Sequence, residues 1–216
     1  MPGKRIIGVD EAGKGDFFGS LVIAAFLASD DDLNALDDIG VRDSKKIAPK
    51  RLLTIDERLR ALYPHVLVII PPPEYNRRWK ESRNLNKLLA EGHAEAIDRL
   101  RQQHPADIAV CDKFGKPELI EDELVSLGCS LDVDQIERGE SVAQVGAASI
   151  LARAGFVREM ERLSESIGFE LPKGAAPIVD QAGRKLVQQQ GEEVLERVAK
   201  VHFKNYQRVT DRRLFA

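Results

Sequence analysis

Three carboxylates mark the chemistry open to this sequence. Asp10 and Glu11 close the apolar run Ile6-Ile-Gly-Val9, and Asp112 closes Asp107-Ile-Ala-Val-Cys-Asp112. Each stands at the C-terminal end of a predicted strand, and if those strands are parallel neighbours their ends meet where α/β sheets usually place sites. Side chains alternate along a strand, so Ile6, Gly8 and Asp10 share one face and Ile7 and Val9 the other. Asp10 is expected to project from the strand end, with Glu11 already turning into the loop. Adjacent acids repel, and at a partly buried strand end they do not both stay ionised without a cation. Hard divalent ions such as Mg²⁺ prefer such oxygen ligands. Gly13, Lys14 and Gly15 follow at once, and glycine lets backbone approach a phosphate closely.

A fourth acid is harder to place. On a helix expected over residues 141–163, Glu159 lies seven residues from Ala152, only about 20° around the axis. Ser149 and Phe156 lie near the same line, so Glu159 extends the small and apolar face. The competing reading makes Arg158, Glu159, Glu161 and Arg162 an ordinary solvated last turn. Glu140 and Asp134 are the reserve candidates. Basic residues cluster at Ser44-Lys45-Lys46 and at Arg77, Arg78, Lys80, Arg83 and Lys87, interleaved with Tyr75 and Trp79. Such groups can track a nucleic-acid backbone and stack on bases, or simply form a solvated face. The chain has four histidines and none near Asp10 in sequence, so no Ser-His-Asp arrangement suggests itself.

The elements that must position these groups are legible in outline. Leu21 to Leu27 reads as a buried strand and Val66 to Ile70 as another, β-branched strand that Pro71-Pro-Pro73 stops. Asp43 or Ser44 can cap a helix over residues 48–62. Residues 84–100 carry apolar positions at helical period. A short helix at 118–127, a strand at 129–136, and helices at 180–190 and 192–200 complete the expectation. With 216 residues, 43% hydrophobic and 31% charged, one globular domain over residues 1–216 is expected. No apolar run approaches a membrane span, which takes ~20 residues. The net charge of −3 speaks against a uniformly basic nucleic-acid binder, yet leaves room for a local basic track. Cys111 and Cys129 sit in apolar contexts, as free thiols in a reducing cytoplasm would.

The full string Asp10-Glu-Ala-Gly-Lys-Gly-Asp-Phe-Phe-Gly19 resembles the first motif of the type 2 ribonucleases H, and most closely the bacterial ribonuclease HIII branch. Asp112-Lys-Phe, Gly146-Ala-Ala-Ser-Ile-Leu-Ala-Arg153, Asp43-Ser-Lys-Lys46, Asn84-Leu-Asn-Lys-Leu-Leu-Ala90 and Lys200-Val-His-Phe-Lys-Asn205 resemble further segments, so the likeness runs from Ile7 to about Val209. It implies a ribonuclease H-like α/β fold, a mixed sheet flanked by helices with a helical C-terminal part. It implies endonucleolytic cleavage of the RNA strand of RNA/DNA hybrids with two Mg²⁺ or Mn²⁺ ions held by Asp10, Glu11, Asp112 and Glu159. The HII branch carries an Asp where this chain has Val157, and the HIII-like Glu two residues later fits Glu159. The resemblance assigns Gly13, Lys14 and Gly15 to the ribonucleotide, and Ser44, Lys45, Asn84, Asn86 and Lys87 to substrate. A monomer in the cytoplasm, with no membrane partner, is expected. HIII enzymes typically carry an N-terminal substrate-binding domain, whereas six residues precede Ile7 here, so weaker hybrid binding is expected. Two rival readings are a noncatalytic nucleic-acid-binding module and an actin- or sugar-kinase-like ATPase. The ATPase predicts a second glycine-rich turn, which the sequence lacks.

Overall fold

A five-stranded mixed sheet in the order β3-β2-β1-β4-β5 carries the strand-end acids. The structure, a computed structural model, describes residues 3–41 and 47–211. β1 (Arg5–Ala12) pairs antiparallel with β2 (Leu21–Ser29) from Arg5↔Ser29 to Ala12↔Val22. β4 (Ile108–Asp112) lies parallel to β1, and β5 (Val133–Ile136) parallel to β4. β3 (His65–Ile70) occupies the other edge. Every residue of β2 but the last is buried, which is why it reads as a continuous apolar run with no alternation.

The chain divides into two compact units. The first comprises Met1–Ala12, Val22–Val68 and Asn84–Gly155. It holds β1, β2, β4 and β5 with α1 (Leu33–Ile39), α2 (Pro49–Leu62), α4 (Leu85–Gln103) and α5 (Glu118–Ser126). α6 (Ala143–Ile167) begins in this unit. A Cβ on Gly8 would fall 2.1 Å from the carbonyl carbon of Gln144 and 2.3 Å from Val145 N, so glycine is what lets the start of α6 lie on β1. The Gly8 and Asp10 face thus belongs to α6, and the opposite face of β1 belongs to α4.

The second unit comprises Gly13–Leu21, Ile69–Arg83 and Phe156–Ala216. It contains α3 (Pro72–Ser82), the later part of α6, α7 (Pro177–Gln190), α8 (Val194–Val198) and α9 (Lys204–Thr210). Asn76 of α3 ties it to the segment after α8: its Nδ2 donates to Ala199 O at 2.9 Å and its Oδ1 accepts from Val201 N at 3.1 Å.

Several boundaries differ from the sequence expectation. Ala48, not Asp43 or Ser44, is the N-cap of α2, with Pro49 at its first position; residues 42–46 lie outside the described residues. Helix α3 begins within the triple proline, at Pro72, because proline at a first helical position needs no N–H. Val133–Ile136 is the only part of 129–136 that pairs as a strand. α6 continues four residues past Leu163, and α8 is just Val194–Val198. α1 and α9 were not anticipated; both are only seven residues long, too short to show two full helical periods. Among the described residues, no helix is long and apolar enough to cross a membrane.

Candidate functional site

The first unit brings Asp10, Glu11 and Asp112 to one end of the sheet. The parallel register sets Gly8 beside Val110 and Val9 beside Cys111, so one step further stand Asp10 and Asp112. β1 does not end at Asp10. Glu11↔Ile23 and Ala12↔Val22 extend the hairpin, so Glu11 is still on the strand and points to the face opposite Asp10, a correction to the expected early turn.

Each acid has its own surroundings. The Ser149 hydroxyl on α6 donates to the Asp10 carboxylate. Burial, with the Glu11 charge beside it, nevertheless pushes the Asp10 pKa up to about 6; the Ser149 and Glu11 N–H hydrogen bonds and the nearby His93 oppose the rise. Asp112 Oδ1 accepts from Gly139 N at 2.9 Å, fixing its rotamer against the turn after β5. Cys111, buried beside Val9 in the parallel register, is pushed up to about 12 by burial and by the charges of Glu11, Asp112 and Asp10, so it is an inert thiol.

Glu11 meets a residue that the sequence reading set aside. His93 Nε2 lies 3.1 Å from Glu11 Oε2, with the His93 side chain fully buried and that of Glu11 only 4% exposed. An ionised carboxylate only accepts, which places the proton on Nε2. Nδ1 of His93 is buried with no hydrogen-bond partner, and the ring packs edge-on against Phe114 at 4.8 Å between centroids. Eighty-two residues separate His93 from Glu11, so distance along the chain hid it. One signal was available: His93 occupies the buried stripe of α4 that also holds Leu89, Ala96, Ile97 and Leu100.

The remaining predicted residues fall in two groups. In the first unit, exposed Asn84 caps α4, its Oδ1 accepting from Asn86 N at 3.0 Å and Lys87 N at 3.3 Å. Asn86 borders Gly115, in the turn that follows Asp112, and Lys87 is exposed. Glu140 is next to the Gly139 that holds Asp112, while Asp134 is exposed on the edge strand β5. Ser44 and Lys45 lie outside the described residues.

In the second unit, Gly13 is buried at φ +89°, where a Cβ would fall 2.3 Å from Ser20 O, while Lys14 and Gly15 are exposed at the loop tip. Glu159 is not a freely solvated last-turn residue. Its side chain is 13% exposed, it accepts from the Ser20 hydroxyl at 3.2 Å, and Arg162 pairs with it at 2.9 Å. The Arg162 guanidinium, outweighing burial, holds its carboxyl below the usual range. The basic track is partly engaged: Arg77 pairs with Glu74 and Glu81, and Arg78 with Glu74. One face of Trp79 is covered by His202 at 3.9 Å between centroids.

Among the described residues, no group of three or more His, Cys, Asp or Glu side chains is drawn together as a formed cation site. What the strand ends offer is a set of hard oxygen donors in which Asp10 bears an electrostatic cost that a divalent cation would relieve. The residues therefore fit such an ion.

Comparison with known proteins bears on the same region. The family described as Ribonuclease HII matches residues 7–206. A relative named Ribonuclease HIII, from Protochlamydia amoebophila (strain UWE25), is 36% identical over 198 residues, covering 92% of this chain and 66% of the relative. The chain thus spans about two thirds of that relative's length. The crystal structure of Bst-RNase HIII in complex with Mn²⁺ superimposes with a TM-score of 0.90 at 32% identity, over 96% of this chain and 69% of that one. Ribonuclease H2 from Pyrococcus horikoshii OT3 gives 0.82 at 25% identity, over 96% and 98%. The mixed sheet and its helices are the fold of these ribonucleases H.

Proposed function

The chain belongs to the ribonuclease HII family, and from that premise we propose that it cleaves the RNA strand of RNA/DNA hybrids endonucleolytically, using Mg²⁺ or Mn²⁺. The observation that carries this reading is the parallel β1–β4 register, which sets Asp10 beside Asp112 at the strand ends, with Glu11 on the adjoining position. Asp10, Glu11 and Asp112 would hold the cations, and Glu159 is assigned as the fourth carboxylate on its sequence position. When bound, divalent cations supply Lewis-acid activation of water and stabilisation of the departing oxygen.

The chain's own residues do the rest. His93 orients Glu11 by occupying one of its oxygens, and Gly139 N orients Asp112. Ser149 orients Asp10. The exposed Lys14 and Gly15 present a charge and loop backbone to a phosphate and to the 2′-hydroxyl that distinguishes RNA from DNA. No serine or cysteine nucleophile is required, and Cys111 is held as a thiol.

The test is a labelled RNA/DNA hybrid, a duplex with one embedded ribonucleotide and an all-DNA duplex, each with Mg²⁺, Mn²⁺ or excess EDTA. Metal-dependent cutting confined to ribonucleotide-containing substrates is expected. Cutting that persists in EDTA, or equal cutting of all-DNA duplex, refutes the proposal.

A further inference from the structure

Lys200 is one of the largest fully buried side chains in the protein, and its ammonium lies among backbone carbonyls. Its Nζ donates to Asp16 O at 2.9 Å and to Gly19 O at 2.6 Å. The Tyr75 ring lies under it, 5.5 Å to the centroid. Asp16 and Gly19 are the two ends of the Asp16-Phe-Phe-Gly19 segment that supports the Gly13–Gly15 tip. The backbone reinforces the same attachment. Lys200 N donates to Phe17 O at 2.8 Å, Gly19 N donates to Val198 O at 2.8 Å, and Phe18 bridges Ala199. On the other side Phe17 N donates to Gly174 O at 2.9 Å, and Gly174 N donates to Asp16 Oδ1 at 2.6 Å. Tip and base therefore differ sharply: Lys14 and Gly15 are exposed, while Asp16 to Gly19 beneath them are sewn to residues 198–200 and Gly174.

A buried amine is a costly way to fill a core, since burial disfavours its charged form and an apolar side chain of similar length would fill the space. What an apolar side chain cannot do is satisfy the Asp16 and Gly19 carbonyls together. We propose that Lys200 is a positioning residue for substrate recognition, holding the base of the loop so that Lys14 and the Gly13–Gly15 backbone meet the ribonucleotide in one geometry. This rests on the reading of that loop as the substrate-facing one.

The arrangement tolerates the loss of the lysine's charge. Burial brings the Lys200 pKa down to about 7, against the opposing pull of Asp16, so much of the population is neutral at mildly alkaline pH. A neutral amine still carries two N–H groups, and two carbonyls need them. The facing groups are Asp16, whose carboxylate accepts from Gly174 N, Tyr75, whose hydroxyl burial keeps protonated, and His202, held neutral at a pKa of about 4 by burial and the Lys200 charge.

The experiment compares Lys200→Met, Lys200→Arg and Lys14→Ala with the parent. The readouts are kcat and KM on a hybrid, the ratio of affinities for hybrid and all-DNA duplex without catalytic metal, and thermal stability. Lys200→Met is expected to raise KM and to lower the hybrid-to-DNA affinity ratio about tenfold each, with kcat within about threefold; the two carbonyls left without a donor lower the melting temperature, and relief of the amine's burial offsets part of that fall. Lys200→Arg, whose guanidinium can reach both carbonyls, is expected to recover most of the ratio. If Lys200→Met does not fold, Lys200→Gln replaces it: its amide keeps two donors but stops one bond short, and the same loss of ratio is expected. An unchanged KM and ratio in Lys200→Met, with Lys14→Ala impaired, overturns the role of Lys200 alone. An unchanged ratio in Lys14→Ala overturns the reading of the loop and the role of Lys200 with it.

Discussion

Replacing Asp10 by Asn should abolish turnover and at the same time stabilise the metal-free protein. Asp10 has its pKa raised to about 6 from an ordinary 3.8, first by burial and then by Glu11. An acid with a raised folded pKa binds its proton more tightly in the fold than in the unfolded chain. Stability therefore falls as pH rises from about 4 to about 6, and the cost is complete above that window. The rise corresponds to roughly 3 kcal/mol, at about 1.4 kcal/mol per tenfold change in proton affinity. The repulsion is shared with Glu11, and an amide keeps only part of the hydrogen bonding from Ser149, so about 1–3 kcal/mol should favour the variant. For a protein of this size that is roughly 2–4 °C in melting temperature per kcal/mol. The assay is urea and thermal unfolding of both proteins in EDTA at about pH 4 and about pH 7.5, then with excess Mg²⁺ at the higher pH. The gap should be nearly absent at the lower pH and open at the higher. Mg²⁺ should close it, because a ligand stabilises the form that binds it. A variant no more stable than the parent in EDTA at neutral pH, or a gap of one size at both pH values, would refute the reasoning.

Two other side chains give comparably direct tests. Glu159→Gln should cut turnover steeply and raise the metal concentration needed for half-maximal rate, with recovery at high Mn²⁺. Its stability should change by no more than about 1 kcal/mol, since the lost partner Arg162 is largely exposed. If Glu140→Gln or Asp134→Asn shifts the metal titration while Glu159→Gln does not, the fourth carboxylate is wrongly assigned. His93→Leu should also shift the metal titration, by freeing the Glu11 rotamer, and His93→Gln, which keeps a donor, should restore much of it. A metal titration of His93→Leu identical to the parent's would show that the His93–Glu11 contact has no part in shaping the site.

The parts of the fold legible in the sequence are those in which one local pattern decides the outcome. β2 is recognisable because almost all of it is buried, and α4 because its apolar positions keep a helical period over 19 residues. α3 is obscured by the Pro71 at its N-cap and the two prolines that open it, which read as a stop but serve equally as a start. The strand expected at 129–136 is longer than the paired segment because Cys129 is buried without pairing in the sheet, and burial and pairing look alike in a hydrophobic pattern.

The candidate site divides along a similar line. Asp10, Glu11 and Asp112 stood out because each interrupts an apolar strand with a charge, a local contradiction that needs no knowledge of neighbours. His93 and Lys200 create the same contradiction, a polar group where the pattern calls for an apolar one, but their partners lie 82 and 181–184 residues away. Without the partner, a buried histidine reads as core and a lysine before Val-His-Phe reads as surface. Lys14 was visible because glycines flank it. What holds that loop in place is carbonyl oxygen at Asp16 and Gly19, which every residue possesses and no sequence pattern marks. The reacting groups of such a site are thus encoded in side-chain types at single positions. The groups that aim them are encoded in pairings across the fold, and substitutions at those distant partners should alter metal or substrate affinity as well as stability.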